Sequence, residues 1–319
     1  MKEEIYDIII IGGGPAGLAA GLYAQRAQMK VILIEKGLPG GQVLLTEVIE
    51  NYPGFPEGIG GPELVERMKE QAVKIGLEII QDEVVEIKTE KSKSAKDKIF
   101  NIVSANGREY KTLSLIIATG AVWRHLDVQG EDKFQGRGVS YCAICDAPFF
   151  KNKKVVVVGG GDKAVEEAIY LTKFANEVTL IHRRDRLRAA KILQGTLRKN
   201  DRIKLCMDSV VTSIEGDKAV RSVKIKNVKD GKEKDIKCEG IFIFVGIIPN
   251  SAFVKEKLKL TEKGYIITDN DMQSSTKGIF ACGDVREKIL QQVVTAVGEG
   301  AQAAFSAQKY AEKLKGTAY

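Results

Sequence analysis

The feature that most constrains this chain is a pattern that occurs twice in its 319 residues. Each copy begins with a continuous apolar run, residues 8–11 in the first and residues 155–158 in the second. A glycine-rich turn follows directly, and then a segment whose composition is typical of a helix. A continuous apolar run suits a parallel strand that is buried on both faces. The sequence therefore predicts two strand–turn–helix units in one polypeptide.

The two turns have the spacing of dinucleotide-binding motifs, G-x-G-x-x-G in the first and G-x-G-x-x-A in the second. The residues at these positions are Gly12, Gly14 and Gly17, and then Gly159, Gly161 and Ala164. Glycines there permit a tight turn and a close approach of the backbone to a pyrophosphate, which the helix N-terminus attracts. Glu35 lies 21 residues after Gly14 and can accept hydrogen bonds from ribose hydroxyls. The alternative is a strand–turn–helix unit without a ligand.

The strand that follows the second helix, residues 178–181, ends in a basic sequence. His182, Arg183 and Arg184 come next, and Arg188 follows. Guanidinium groups suit a 2′-phosphate, which a carboxylate would repel. We therefore predict NADPH for the second unit and FAD, the other common dinucleotide, for the first. A solvated basic face is the alternative, because Asp185 can neutralise part of the charge.

Two of the five cysteines, Cys142 and Cys145, form a C-x-x-C pair shortly before the second nucleotide strand. A zinc site needs further ligands, and the two histidines are isolated, so we predict no metal site. Two buried core residues are one interpretation of the pair. Beside flavin and nicotinamide sites, a disulfide is instead the natural two-electron acceptor. Asp146 follows the pair and can move the proton that thiol chemistry requires.

Composition excludes several classes of protein. The apolar runs are far shorter than the roughly 20 residues of a membrane span. The net charge of +7 is mild and aromatic residues make up 7%, which does not favour nucleic-acid binding. No signal peptide is recognisable, so a cytoplasmic protein is expected. The polar segment 90–98 is predicted to be a solvated hairpin loop.

The order of these units predicts an α/β fold with two Rossmann-like, three-layer (ββα) nucleotide-binding domains, the second inserted into the first. The short apolar strand at residues 279–281 and a long helix over residues 291–314 are expected to complete the first domain. We predict a discontinuous FAD domain over residues 1–119 and 248–319. The NADPH domain, which carries the cysteine pair, is predicted over residues 120–247.

Over nearly its whole length the chain resembles the low-molecular-weight thioredoxin reductases. The order of several short segments carries this resemblance: residues 12–17, 40–42, 51–54, 118–120, 136–139, 142–146, 159–168, 182–188 and 283–285. The resemblance implies a homodimeric flavoenzyme that passes electrons from NADPH through FAD to a Cys142–Cys145 disulfide and on to thioredoxin or a thioredoxin-like protein. It further implies that Cys145 faces the flavin, that Cys142 attacks the substrate disulfide, and that Asp146 donates a proton. Rotation of the inserted domain about strands near Gly120 and Gly246 is also implied.

The same resemblance, together with the two motifs, assigns residues to each cofactor. For FAD these are Gly12, Gly14, Pro15, Ala16, Gly17, Glu35, Lys36, Gly40, Gly41, Gln42, Asn51, Ala118, Thr119, Gly120, Gly283, Asp284, Gln291, Gln292 and Val293. For NADPH they are Gly159, Gly161, Asp162, Ala164, Glu167, His182, Arg183, Arg184 and Arg188.

The chain departs from the family at Lys163, where Ser or Thr is usual, and at Gln291 and Val293, where Arg or Lys and Ala are usual. Two kinds of alternative function stay open at this point. One is the same core with a glutaredoxin-like protein as acceptor, or with NADH or ferredoxin as donor. The other is a non-catalytic flavin protein that senses redox state through the same disulfide.

Overall fold

Two parallel sheets organise the chain, one in each of two units. The computed structural model describes residues 4–46, 48–91 and 98–317. Unit 1 comprises Met1–Val122 and Ile248–Tyr319, and unit 2 comprises Trp123–Ile247. Most of the predicted solvated hairpin loop, residues 92–97, lies outside the described residues.

The strands are β1 (Ile5–Ile11), β2 (Val31–Glu35), β3 (Glu78–Gln81), β4 (Val84–Lys91), β5 (Lys98–Ser104), β6 (Glu109–Ile117), β7 (Ala121–Trp123), β8 (Val139–Ser140), β9 (Lys154–Gly159), β10 (Glu177–Ile181), β11 (Ile203–Cys206), β12 (Ser209–Gly216), β13 (Val220–Asn227), β14 (Glu233–Lys237), β15 (Gly240–Phe244), β16 (Ile247–Pro249) and β17 (Ile279–Ala281). The α-helices are α1 (Pro15–Arg26), α2 (Gly61–Lys74), α3 (Ala143–Asp146), α4 (Asp162–Leu171), α5 (Lys191–Arg198) and α6 (Val293–Lys315).

In unit 1 the parallel strands lie in the order β3-β2-β1-β6-β17. Strand β6 is nine residues long and pairs with two different strands along one of its edges. Its first half pairs antiparallel with β5, and its last three residues pair parallel with β17. Strands β4 and β5 therefore extend the first half of β6 as an antiparallel layer, while the second half belongs to the parallel sheet.

In unit 2 five parallel strands lie in the order β11-β10-β9-β15-β8, and β12-β13-β14 form a separate antiparallel sheet. Strand β9 lies in the middle of the parallel sheet, and Val155–Val158 are buried, as a continuous apolar run requires. Each unit thus contains its own parallel sheet and antiparallel layer. The predicted α/β class with two nucleotide-binding folds is confirmed.

Helix α1 follows β1 and helix α4 follows β9, so each glycine turn lies at the carboxyl end of a central strand. This is the edge of an open α/β sheet at which nucleotides bind. Helix α6 begins at Val293, two residues later than predicted, because Gln292 has an extended backbone and precedes the first turn. Among the described residues, no helix is both long and apolar enough to cross a membrane.

Candidate functional site

Cys142 and Cys145 form a disulfide at the start of the short helix α3, with their Cα atoms 5.3 Å apart. Strand β8 leads into this turn, and the Ser140 hydroxyl accepts a hydrogen bond of 3.1 Å from the Cys142 N–H. The backbone N–H of Cys145 donates to the sulfur of Cys142 at 3.2 Å. Both cysteines are partly exposed. The Cys142 sulfur thus has a donor that would also stabilise a thiolate after reduction.

A buried hydrogen-bond network precedes the disulfide, and the sequence did not predict it. The hydroxyl of Tyr141 donates to Glu131 at 2.7 Å, and Glu131 is 2% exposed. Burial and this hydrogen bond raise the pKa of Tyr141. Glu131 also accepts the backbone N–H groups of Leu126 and Asp127. The residue that precedes the redox pair is therefore fixed to a carboxylate that is itself fully bonded.

The other three cysteines are suited to structural roles. Cys238 and Cys282 are buried, and burial raises the pKa of each thiol to about 12. Cys206 is partly exposed and forms no disulfide. Among the described residues, no cluster of His, Cys, Asp and Glu could hold a metal ion.

The glycine turn of unit 1 contains both structural glycines and a glycine that leaves open space. A Cβ atom on Gly12 would lie 2.4 Å from the carbonyl oxygen of Ala118, and a Cβ on Gly17 would lie 1.8 Å from that of Gly12. Gly14 is different, because a Cβ there would meet no protein atom within 4 Å and its φ is −73°. Neither packing nor backbone conformation requires a glycine at residue 14. The open space beside Gly14, which we call a glycine cradle, lets a phosphate approach the backbone closely.

Glu35 ends β2 beside this turn, and its carboxylate is partly used by the protein. Its oxygens accept the backbone N–H groups of Gly13 at 2.6 Å and Gly37 at 2.8 Å. A carboxylate can accept about four hydrogen bonds, so capacity for a ribose remains. Gly41 is brought to the same place, since a Cβ on it would lie 3.5 Å from the Cα of Gly14. Pro15 and Ala16 begin α1 in the same turn, and the exposed Lys36 directly follows Glu35.

Several other residues predicted for FAD, distant in the sequence, lie together in unit 1. Asn51 donates to the side chain of Gln292 at 2.9 Å, which brings it to the start of α6. Thr119 and Asn250 exchange two hydrogen bonds, of 2.7 and 2.8 Å, and so fix the backbone that follows β6. No sequence signal identified Asn250, since its partner is 131 residues away. The assignment of Gln42, Gln291 and Val293 to FAD stays a prediction.

Gly283 and Asp284 follow β17 and lie within an ionic cluster that the sequence analysis missed. Glu299 accepts the N–H of Gly283 at 2.8 Å and pairs with Arg286 at 2.9 Å. The side chain of Lys288 is 6% exposed and lies 3.0 Å from Asp284 and 3.4 Å from Glu299. Burial raises the pKa of Asp284, although Lys288 opposes this shift. Asp284 and Lys288 are four residues apart, but Arg286 between them is extended, so no helical spacing in the sequence signals this contact.

The glycine turn of unit 2 repeats the arrangement of unit 1. Gly159 has φ +154°, and a Cβ on it would lie 2.6 Å from both the Ala164 Cβ and the Phe244 carbonyl oxygen. Gly161 resembles Gly14, since a Cβ there would meet no protein atom within 4 Å and its φ is −90°. Gly160, which the motif did not single out, lies against the ring of His182, and a Cβ there would be 2.3 Å from that ring.

We call residues 182–190 the arginine loop. Arg183, Arg184 and Arg188 are exposed, and none of the three forms an ion pair with a described residue. His182 is buried, and burial, together with the charge of Arg188, lowers its pKa, so its ring is neutral at pH 7. Three exposed guanidinium groups therefore stand unpaired beside the second glycine turn.

Three bonds attach the arginine loop to the glycine turn. The N–H groups of Arg188 and Ala189 donate to the carbonyl of Gly160 at 2.7 and 3.1 Å. The N–H of Ala190 donates to the Asp162 carboxylate at 2.7 Å. Asp162 is thus engaged by the loop, while Glu167 is buried and paired with Lys163, leaving its second oxygen buried without a hydrogen-bond partner. Both residues stay predicted nucleotide contacts.

Comparison with known proteins agrees with this geometry. Residues 6–300 match the family model of the pyridine nucleotide-disulphide oxidoreductases. The thioredoxin reductase of Listeria innocua is 48% identical, with 98% of this chain and 96% of that protein covered. The thioredoxin reductase of Bacillus subtilis is 46% identical, with 99% and 98% covered. The crystal structure of the thioredoxin reductase from Streptococcus pyogenes is similar with a TM-score of 0.91 at 47% identity, covering 97% of this chain and 99% of that one.

The chain belongs to the pyridine nucleotide-disulphide oxidoreductases, a class to which its two nucleotide-binding folds and its disulfide correspond. The C-x-x-C disulfide in unit 2 and the match to thioredoxin reductases over 96–98% of their length narrow the assignment. Within the class it is a low-molecular-weight thioredoxin reductase, whose redox-active disulfide is Cys142–Cys145. The predictions of family and enzymatic activity are confirmed, and the non-catalytic sensor is excluded.

Proposed function

We propose that unit 1 binds FAD and unit 2 binds NADPH, and that electrons pass from NADPH through FAD to the Cys142–Cys145 disulfide and then to oxidised thioredoxin. The observation that carries the proposal is the pair of open glycine cradles, at Gly14 in unit 1 and Gly161 in unit 2. Because both turns have the same open space at the middle glycine of the motif, the chain has a site for one dinucleotide in each unit. When bound, FAD would supply the two-electron relay between the nicotinamide and the disulfide.

The choice of nucleotide for each unit follows from the residues at the end of the strand that comes after the glycine turn and its helix, β2 in unit 1 and β10 in unit 2. In unit 1 this strand ends at Glu35, whose carboxylate suits ribose hydroxyls and disfavours a 2′-phosphate. In unit 2 the strand β10 runs into the arginine loop, where Arg183, Arg184 and Arg188 have no acidic partner among the described residues. Unpaired guanidinium groups bind a phosphate dianion in bidentate fashion. The arginine loop therefore favours NADPH over NADH and over any other donor that lacks a 2′-phosphate.

The chemistry of the disulfide can be written from the residues on α3. Two electrons and two protons convert the Cys142–Cys145 disulfide to two thiols. The Cys142 thiol loses its proton, and the thiolate, stabilised by the N–H of Cys145, attacks one sulfur of the thioredoxin disulfide. The thioredoxin S–S bond breaks, a mixed disulfide forms, and the departing thioredoxin thiolate takes up a proton. Cys145 then loses its proton, and its thiolate attacks the sulfur of Cys142, which breaks the mixed disulfide, restores the intramolecular disulfide and releases thioredoxin as a dithiol once its second thiolate is protonated. Asp146 is the proposed proton donor to the departing thiolate.

The homodimer is likewise a proposal, drawn from the family. Several large apolar side chains of unit 1 are exposed around the start of α6 and along it, namely Ile289, Leu290, Val294 and Phe305. Large apolar groups exposed in one region mark surfaces that bind another protein. A second copy of the chain is the proposed occupant, and sedimentation equilibrium of Ile289→Asp against the unaltered protein tests this.

Single-cysteine variants test the electron path. Cys145→Ser should leave reduction of the bound flavin by NADPH intact. This reduction is measured as the loss of flavin absorbance under anaerobic conditions. The same variant should lose steady-state reduction of thioredoxin, since no intramolecular disulfide can form. Cys206→Ser is the matched control, because Cys206 forms no disulfide, and it should retain both activities.

Two results would overturn the proposal. Turnover with thioredoxin in Cys145→Ser would show that this disulfide is not the relay. Purified protein that stays colourless after FAD is added, and that NADPH does not reduce, would show that the two cradles do not hold these cofactors.

A further inference from the structure

We infer that Asp162 is a positioning residue that sets the preference for NADPH over NADH by holding the arginine loop against the glycine turn. The inference rests on the proposed binding of NADPH by unit 2. It concerns an acidic residue in the first turn of α4, directly after the glycine turn proposed to bind the pyrophosphate.

The arginine loop is attached to the glycine turn through the backbone on one side and a side chain on the other. Of the three hydrogen bonds between turn and loop, two use the carbonyl of Gly160, and the third uses the Asp162 side chain. That third bond, at 2.7 Å, receives the N–H of Ala190, which is the residue just before α5. Asp162 therefore joins the start of α4 to the start of α5, and the segment that carries the arginines is anchored on both sides.

The other end of the arginine loop is held by packing. The His182 ring lies against Gly160 so closely that no side chain fits there, which fixes the first residue of the loop on the turn. Gln194 on α5 donates to the Ala189 carbonyl at 2.7 Å. Between these anchors the arginine side chains are exposed and make no ion pairs with described residues, so their placement depends on the backbone that carries them.

The charge of Asp162 and its positioning of the loop have opposite effects on nucleotide binding. A carboxylate close to a pyrophosphate repels it, so charge alone predicts that removing Asp162 strengthens the binding of both nucleotides equally. Positioning predicts a different result. The glycine turn serves the pyrophosphate that NADPH and NADH share, whereas the arginine loop serves the 2′-phosphate of NADPH alone. A displaced loop weakens only NADPH, and the ratio of the two affinities falls.

The test uses the oxidised, FAD-loaded protein and measures dissociation constants for NADP⁺ and NAD⁺ by calorimetry, which needs no turnover. Asp162→Ala should lower the NADP⁺ to NAD⁺ affinity ratio about tenfold, the size expected for loss of a charge-assisted hydrogen bond. Asp162→Asn keeps an acceptor oxygen for the Ala190 N–H and should keep the ratio within about threefold of the original.

Ala190→Pro removes the donor and leaves the Asp162 charge in place. Ala190 has φ −54°, which proline adopts, so this variant should reproduce the lowered ratio of Asp162→Ala. Glu166→Gln is the matched control, since Glu166 is an exposed acid on the same helix, and its ratio should not change. Flavin content and melting temperature are measured for each variant to show that it is folded.

An unchanged ratio in Asp162→Ala and Ala190→Pro, or equal strengthening of both nucleotides in Asp162→Ala, would overturn the inference. A ratio lowered about tenfold in Asp162→Asn, as in Asp162→Ala, would do the same. The double variant Arg183→Ala/Arg184→Ala separates this failure from failure of the proposed function. If the unaltered protein prefers NADP⁺ and the double variant does not, the nucleotide assignment stands whatever Asp162 does. If the unaltered protein shows no preference, the assignment to NADPH is itself wrong.

Discussion

Gly161→Ala separates folding from nucleotide binding within the second glycine turn. A Cβ on residue 161 would meet no protein atom within 4 Å, and the backbone φ of −90° is open to alanine. Replacing glycine by alanine restricts the unfolded chain and adds about 0.4–1 kcal/mol of stability at a compatible site. Residue 161 directly precedes α4, where alanine is a poorer residue than glycine by an amount of similar size, about 0.5–1 kcal/mol. The free energy of unfolding should therefore change by less than about 1 kcal/mol.

Nucleotide binding should respond differently to the same methyl group. The methyl group would occupy the space through which a pyrophosphate reaches the first N–H groups of α4. Loss of one charge-assisted hydrogen bond weakens binding by about 1.5–3 kcal/mol, so the dissociation constant for NADP⁺ should rise tenfold or more. The assay is calorimetric titration of the FAD-loaded protein, together with its thermal unfolding. Gly159→Ala is the contrast, because its φ of +154° and the Phe244 carbonyl at 2.6 Å from its Cβ make it a folding defect. Unchanged NADP⁺ affinity in Gly161→Ala would show that a pyrophosphate does not bind at residue 161. A large loss of stability would show that the space beside residue 161 is not open.

Three further outcomes follow from the site. Burial lowers the pKa of His182 below 6.5, so at acid pH the unfolded chain binds a proton that the folded chain does not. The free energy of unfolding should therefore fall below about pH 6.5, by at most 1.4 kcal/mol per pH unit. Thermal unfolding measured against pH should show this slope, and His182→Gln should reduce it. Glu299→Gln leaves Arg286 and Lys288 without their shared carboxylate and should cost on the order of 2 kcal/mol, with faster loss of FAD on dilution than in the control Glu312→Gln; equal FAD retention would contradict the role of the ionic cluster. Cys282, with its pKa raised to about 12 and no exposed surface, should resist iodoacetamide at pH 8, whereas Cys142 should react after reduction, as mass spectrometry of the digested protein can determine.

The features predicted correctly from the sequence are those whose signal is local. The apolar run 155–158, the glycines that follow it and the cysteine pair each lie within a few residues, and each has a physical requirement that few residue types meet. The fold class follows from them because a strand, a glycine turn and a helix in this order specify a parallel sheet.

The contacts that sequence reasoning missed join residues that are distant in the chain or chemically ordinary. Asn51 meets Gln292 across 241 positions, and Thr119 meets Asn250 across 131. Glu131 is one acidic residue among 42, and only its burial beside Tyr141 distinguishes it. Such pairs depend on strand register and helix packing, which no local pattern determines.

The division of β6 between two partners has a consequence for the order in which the protein is made. Its last residues pair with β17, which leaves the ribosome more than 160 residues after them, whereas every strand of unit 2 has emerged by residue 247. Domains fold as their chain becomes available, so the inserted unit can reach its native form first. The discontinuous unit must keep an open strand edge until the end of synthesis. A nascent chain stopped before residue 279 should therefore present a finished redox turn while it still lacks β17, α6 and the residues proposed there for FAD.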